Sequence, residues 1–213
     1  MFALLPTRWE PFAYLSTMET PGGALVEGVS PRPWASAVRN VQWTWHLVVT
    51  LGWATALGLS QVLETQGVAH DIALGAHLLG LVVAFGAVLL VDWHGLVWLS
   101  GLRTFRETLR VGEAAHPLVW MGLLLLIVSG VFLGPDLGDP RTWVKQVAVL
   151  ALVNNGVGVR RLGARLSALR PRIHTITELP VRHRVAVGTS LVVSQLAWWT
   201  SATIGFLVTL SRR

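Results

Sequence analysis

The sequence predicts an all-α integral membrane protein: a bundle of five transmembrane helices, with a four-helix core and an extra N-terminal span. Three observations predict it. Five apolar stretches lie near 38–63, 72–99, 117–133, 143–159 and 185–210, and about 20 apolar residues of helix suffice to cross the hydrocarbon core. Charged residues make up only 13% of the chain, against about 25% in soluble domains. The arginines concentrate on alternate connections, as they do when successive spans cross in turn. Each stretch is too long for a lone strand, and a helix satisfies its own backbone in lipid.

Residues 1–34 read as an irregular extramembrane arm, broken by Pro6, Pro11, Pro21, Gly22, Gly23, Pro31 and Pro33. Trp9, Phe12 and Tyr14 in this arm can rest on the membrane surface or on a partner. Its start does not have the form of a signal peptide. The short apolar opening is broken by Pro6 and followed by Arg8 and Glu10, where a signal peptide places basic residues first and then about 7–15 apolar ones. The transmembrane bundle is expected over 35–213. Span one carries few charges, which favours crossing over lying on the surface. Span two carries His77. His116-Pro117 reads as the start of span three, with proline at the first helical position, and Gly134-Pro135 ends it. Span four opens with Trp143-Val144-Lys145 and stops at Arg160-Arg161. Helical spacing continues over 159–169, but a basic loop at 160–184 beside lipid headgroups is the preferred reading. Span five holds Trp198 and Trp199 at mid-depth, where they can wall an apolar cavity.

Five crossings put the two termini on opposite sides. One side holds Arg8, Arg32, Arg39, Arg103, Arg106, Arg110, Arg160, Arg161, Arg165, Arg170, Arg172, Arg182 and Arg184; the other holds Arg141, Lys145, Arg212 and Arg213. Basic residues near span ends mark the cytoplasmic side, so the N-terminus is expected in the cytoplasm and the C-terminus outside. The net charge of +6 belongs to this asymmetry and points to the lipid bilayer as partner, not to nucleic acid. Eleven tryptophans suit aromatic belts at the two interfaces.

The chain has no cysteine, which excludes disulfides, thiolate zinc sites, iron–sulfur clusters and covalently attached c-type haem. Its chemistry therefore rests on histidine and on the few polar groups at membrane depth. Ionisable groups there cost a few kcal/mol or more and persist mainly where they meet a partner, a cofactor or a pathway, on the order of a functional site by default. His77 shares a helix face with Ala73, Gly80, Ala84 and Ala87. Small residues at this spacing let a second helix or a flat ring approach closely. The face is therefore either a packing seam with one hydrogen-bonded histidine, or a platform for a haem ligated by His77. Lys145 starts on the same side and at similar depth. It can ligate, contact a propionate, or snorkel to the outer interface. Asn154 and Asn155 lie deeper, as interhelical glue or as donors behind a ligand. His46 and His94 form a second tier, with Asp92-Trp93-His94 at the cytoplasmic interface either a polar cluster in which Asp92 orients a histidine ring or an ordinary satisfied interfacial pair. His70, His116, His174 and His183 fall at span ends or in loops.

From span two onward a pattern is carried by Ala76-His77-Leu78-Leu79-Gly80, Phe85-Gly86-Ala87 and Asp92, then Ser129-Gly130-Val131, then Trp143-Val144-Lys145, and finally Arg172 with Glu178-Leu179-Pro180. Over about residues 70–210 it resembles a superfamily of small bacterial membrane proteins that includes the haem-binding membrane protoporphyrinogen oxidase and the copper-resistance D family. The resemblance implies a four-helix core in a bacterial inner membrane. It also implies that His77 and Lys145 match the oxidase family's functional His and Lys. Two positions depart from that family. Its aromatic-His end to the first helix stands here as Trp93-His94-Gly95, and the His that follows the Lys is replaced around Asn154 and Asn155. Those departures bear on oxidase activity more than on haem binding. The copper family leans on Met and His, whereas of three methionines only Met121 lies in a span.

Two functions from different classes follow. The first is a protein binding haem b, through His77 with Lys145, Gly80 and Asn154 around the group, for electron transfer or porphyrin-related redox chemistry. The second is a non-catalytic accessory subunit of a larger respiratory or photosynthetic membrane complex, binding partner helices, pigment or lipid. There is no nucleotide loop, nucleophile triad or catalytic carboxylate pair. A transporter fits less well, since internal repeats are not evident and intramembrane acids are nearly absent.

Overall fold

The computed structural model describes residues 33–63, 65–169 and 175–211. The arm bearing Trp9, Phe12 and Tyr14 lies outside the described residues, as do Arg170, Arg172, His174, Arg212 and Arg213. The chain divides into two units, Met1–Arg39 and Asn40–Arg213. The first is described only over 33–39, at the start of a helix; everything below concerns the second.

Regular structure among the described residues is all helical: α1 (Pro33–Leu59), α2 (Val68–Leu99), α3 (Phe105–Phe132), α4 (Pro140–Leu169) and α5 (Val181–Ser211), with a short 3-10 turn at Ile176–Glu178 before α5. Three of the five are long and apolar enough to cross a membrane: α2, α3 and the Val181–Val208 part of α5. In α1 the apolar run is diluted by Trp43, Thr44, Trp45 and His46. In α4 the apolar run is hemmed in by Arg141, Lys145 and Gln146 at one end and by Asn154, Asn155, Arg160 and Arg161 at the other.

Two boundaries depart from the sequence reading. α3 begins at Phe105 rather than at Pro117, because Thr104 and Glu107 close a capping box. The Thr104 hydroxyl accepts from the Glu107 N–H at 3.3 Å and the Glu107 carboxylate accepts from the Thr104 N–H at 2.9 Å, satisfying two otherwise orphaned donors. Pro117 then sits inside the helix, where it costs one backbone bond. The second departure is α4, which runs on to Leu169 where a basic loop was expected. Leu162, Leu166 and Leu169 form an apolar stripe at helical spacing, and they pack with Phe105 and Leu179 in a small core at the basic end of the bundle.

α2 packs most extensively on α3, and α4 on α5, with a lighter contact between α3 and α4. The main core joins both pairs through Ala84, Leu123, Ala148, Leu152, Val153, Ala197 and Trp198. Trp198 is 2% exposed and stacks on Phe85 with ring centroids 5.6 Å apart. It fills the core, while Trp199 lies outside it and meets the edge of Phe85. The expected cavity wall is therefore a packed aromatic cluster. At the α2–α3 crossing the backbones nearly touch. A Cβ built on Gly122 would lie 2.6 Å from Ala84 Cβ and 2.8 Å from the Gly80 carbonyl oxygen.

Candidate functional site: His77 and the polar clasps between helices

His77 projects from α2 toward α3, where its Nδ1 lies 2.9 Å from Ser129 Oγ. Ser129 is buried, and its hydroxyl donates to the Leu125 carbonyl at 2.5 Å, one turn back on its own helix. A serine has one hydroxyl proton. With that proton spent on the carbonyl, Ser129 Oγ accepts from His77 Nδ1–H. The imidazole is thereby assigned as the Nδ1-protonated tautomer, with the lone pair on Nε2. The following residue, Gly130, leaves room for the ring: a Cβ there would stand 3.7 Å from His77 Cε1.

Lys145 reaches the same region from α4. It lies within electrostatic range of His77, and its Nζ is 3.8 Å from where a Cβ on Gly205 of α5 would stand. One locus thus draws His77 from α2, Ser129 and Gly130 from α3, Lys145 from α4 and Gly205 from α5. The ring of His77 is half-buried, as is Lys145.

The other two expected members of the site lie elsewhere. The face of Gly80 is filled by α3: a Cβ on Gly80 would lie 3.0 Å from the Gly122 carbonyl oxygen and 3.1 Å from the Leu126 nitrogen. At Gly80 and Ala84 the small-residue face is a helix seam against α3. Asn154 lies nine positions beyond Lys145, roughly 13 Å along the helix axis. There its Oδ1 accepts from His46 Nδ1–H at 2.9 Å, while its amide nitrogen donates to Thr50 Oγ1 and to the Leu150 carbonyl. It clasps α1 to α4. Asn155 makes the matching clasp to α5, donating to the Ser190 carbonyl at 3.1 Å and accepting from the Ser190 hydroxyl at 2.9 Å.

The expected Asp92–His94 cluster does not form. Asp92 accepts from Gln195 of α5, while His94 Nδ1 donates to the Leu90 carbonyl at 2.9 Å. Side chains two apart on a helix point about 200° away from each other, so they serve different neighbours. Of the remaining histidines, His70 stands beside Asp71 at the start of α2. His116 lies mid-helix, where its Nε2 accepts from the Trp120 indole at 3.0 Å. His183, expected in an exposed loop, is buried at the start of α5, with its Nδ1 lacking a hydrogen-bond partner. Sequence reasoning did not single out Ser129, Ser190 or Gln195 as partners. Ser129 is an isolated polar residue in an apolar run, the same signal that marked His77, while Ser190 and Gln195 stand next to Thr189 and Ser194.

The clasps carry a testable energy. Interhelical hydrogen bonds in membranes couple by about 0.6 kcal/mol on average and up to about 1.7. A double-mutant cycle of His46→Ala and Asn154→Ala, read by unfolding in detergent, is expected to show coupling in that range. Strict additivity would mean the two side chains do not bond.

Comparisons of the chain with known protein families, with curated proteins and with solved structures each return no match.

Proposed function

We propose that this chain is a five-span protein of a bacterial inner membrane that binds a b-type haem through Nε2 of His77 and serves electron transfer or porphyrin-related redox chemistry. The observation that carries this reading is the proton arrangement at His77. A histidine that ligates a metal usually donates its other ring N–H to a fixed acceptor, and Ser129 is that acceptor here. Among the described residues no three His, Asp or Glu side chains converge to hold a metal ion. A metal held by one imidazole fits a macrocycle that brings its own equatorial ligands. Haem supplies a one-electron couple whose potential follows from axial ligation and burial. His77 would hold the iron. Lys145 would pair with a propionate as the ammonium, or bind the iron as the amine. The same two residues carry the resemblance of 70–210 to the haem-binding oxidase superfamily.

A second reading, an accessory subunit of a larger membrane complex, draws on a different observation. The polar side chains His46, Asn154, Asn155, Asp92 and Gln195 are all spent joining helices, which is what a structural bundle needs. An absorption spectrum separates the two readings. Protein purified from cells supplied with haem precursor is expected to show a Soret band, with α and β bands on reduction. Ser129→Ala is expected to weaken haem retention by about 10–100-fold while the bundle still assembles. A colourless wild-type protein would leave the subunit reading in place.

On this reading the excess of arginine on alternate connections marks the cytoplasmic side, with the N-terminus there and the C-terminus outside. A tag after Arg213 is expected to be reachable in intact spheroplasts. A tag reached only after permeabilisation would reverse the topology or remove one span.

A further inference from the structure

At the basic end of the bundle, α4 and α5 part to leave a groove of about 390 Å³. Its walls include Arg161, Leu162 and Arg165 from α4 and Ala186 and Thr189 from α5. Its floor is the closed Asn155–Ser190 clasp. The two arginines are one helical turn apart, so their guanidinium groups share a face. Neither makes an ion pair with a described residue. Like charges at this spacing repel, and an anion between them would remove that repulsion. The level of the groove is marked by exposed Val185 and Val192 on α5, within a segment apolar enough to cross a membrane. With α5 read as a membrane span, the cationic pocket stands where the apolar part of that helix gives way to its basic end, the level at which headgroups would lie.

We propose that this groove binds the phosphate of an acidic phospholipid, with Arg161 and Arg165 on the phosphate, Thr189 donating from α5, and Leu162 and Ala186 against the first carbons of the lipid. Planar guanidinium forks match phosphate oxygens bidentately, and basic pockets between spans on the cytoplasmic side hold such headgroups. The proposal rests on the membrane placement of α4 and α5 and is independent of haem.

The test is native mass spectrometry of the full chain in mild detergent, titrated with dioleoyl phosphatidylglycerol or dioleoyl phosphatidylcholine. The wild type is expected to retain the acidic lipid about tenfold better, because its phosphate charge is free to pair with the two arginines while the choline cation already offsets that of the other lipid. The Arg161→Gln/Arg165→Gln variant is expected to lose that preference. Gly158→Leu keeps both charges and fills the groove, and a Cβ at Gly158 meets no atom within 4 Å; it too is expected to lose the preference while folding normally. Arg182→Gln/Arg184→Gln, exposed cations at the same end but outside the groove, is expected to keep it. Equal retention of the two lipids by the wild type, or full preference in Gly158→Leu, would overturn the proposal. Displacement of the acidic lipid by inorganic phosphate would assign the groove to a soluble anion instead.

Discussion

Gly122→Ala is expected to force α2 and α3 apart. The added methyl would stand 2.6 Å from Ala84 Cβ, 2.7 Å from the Ala84 nitrogen and 2.8 Å from the Gly80 carbonyl oxygen. Two of those atoms are backbone, so no side chain can swing away to make room. Overpacking costs typically about 1–3 kcal/mol and more where relief requires backbone movement. Gly80→Ala faces the same seam at 3.0–3.2 Å and should cost less. Gly86→Ala, where nothing lies within 4 Å, should leave stability unchanged. Thermal unfolding of the three variants in one detergent is expected to rank them in that order. Equal midpoints for Gly122→Ala and Gly86→Ala would mean the two helices do not approach as closely as described. The seam also bears on the site, because it sets the distance between His77 on α2 and Ser129 on α3.

The helices were legible because long apolar runs bounded by arginine or by Gly-Pro have few alternatives. Their ends were less so. Thr104 and Glu107 have the spacing of a capping box, but the charges of 103–113 made that stretch read as a loop, and Pro117 offered a more familiar start. Leu162, Leu166 and Leu169 likewise carried a helical stripe, hidden among arginines that the membrane surface explains equally well. Membrane-crossing composition holds for α2, α3 and α5. In α1 and α4 the apolar run is shortened by the polar groups that make the clasps. At the site, His77 and Lys145 were legible because each is ionisable in apolar surroundings. Ser129 was not, since its role depends on a partner 52 residues away. Asn154 was grouped with His77 as a donor behind a ligand, although it lies nine positions beyond Lys145 along α4 and bonds His46 of α1 instead. Asp92 was grouped with His94 by adjacency, although its partner is 103 residues away.

The most direct measurement is the reduced-minus-oxidised difference spectrum of haem-supplied wild type beside His77→Ala and His70→Ala. His70 sits at the start of α2 next to Asp71 and takes no part in the proposed ligation. His77→Ala removes the only proposed iron ligand on α2 while leaving the Gly80–Gly122 seam intact. The expected result is a b-type spectrum in the wild type and in His70→Ala, and its complete loss in His77→Ala. Lys145→Met is expected to shift the bands if the amine binds iron, or to lower occupancy with unchanged bands if it holds a propionate. A b-type spectrum that survives intact in His77→Ala, or a wild type with no spectrum at all, would contradict haem binding at His77.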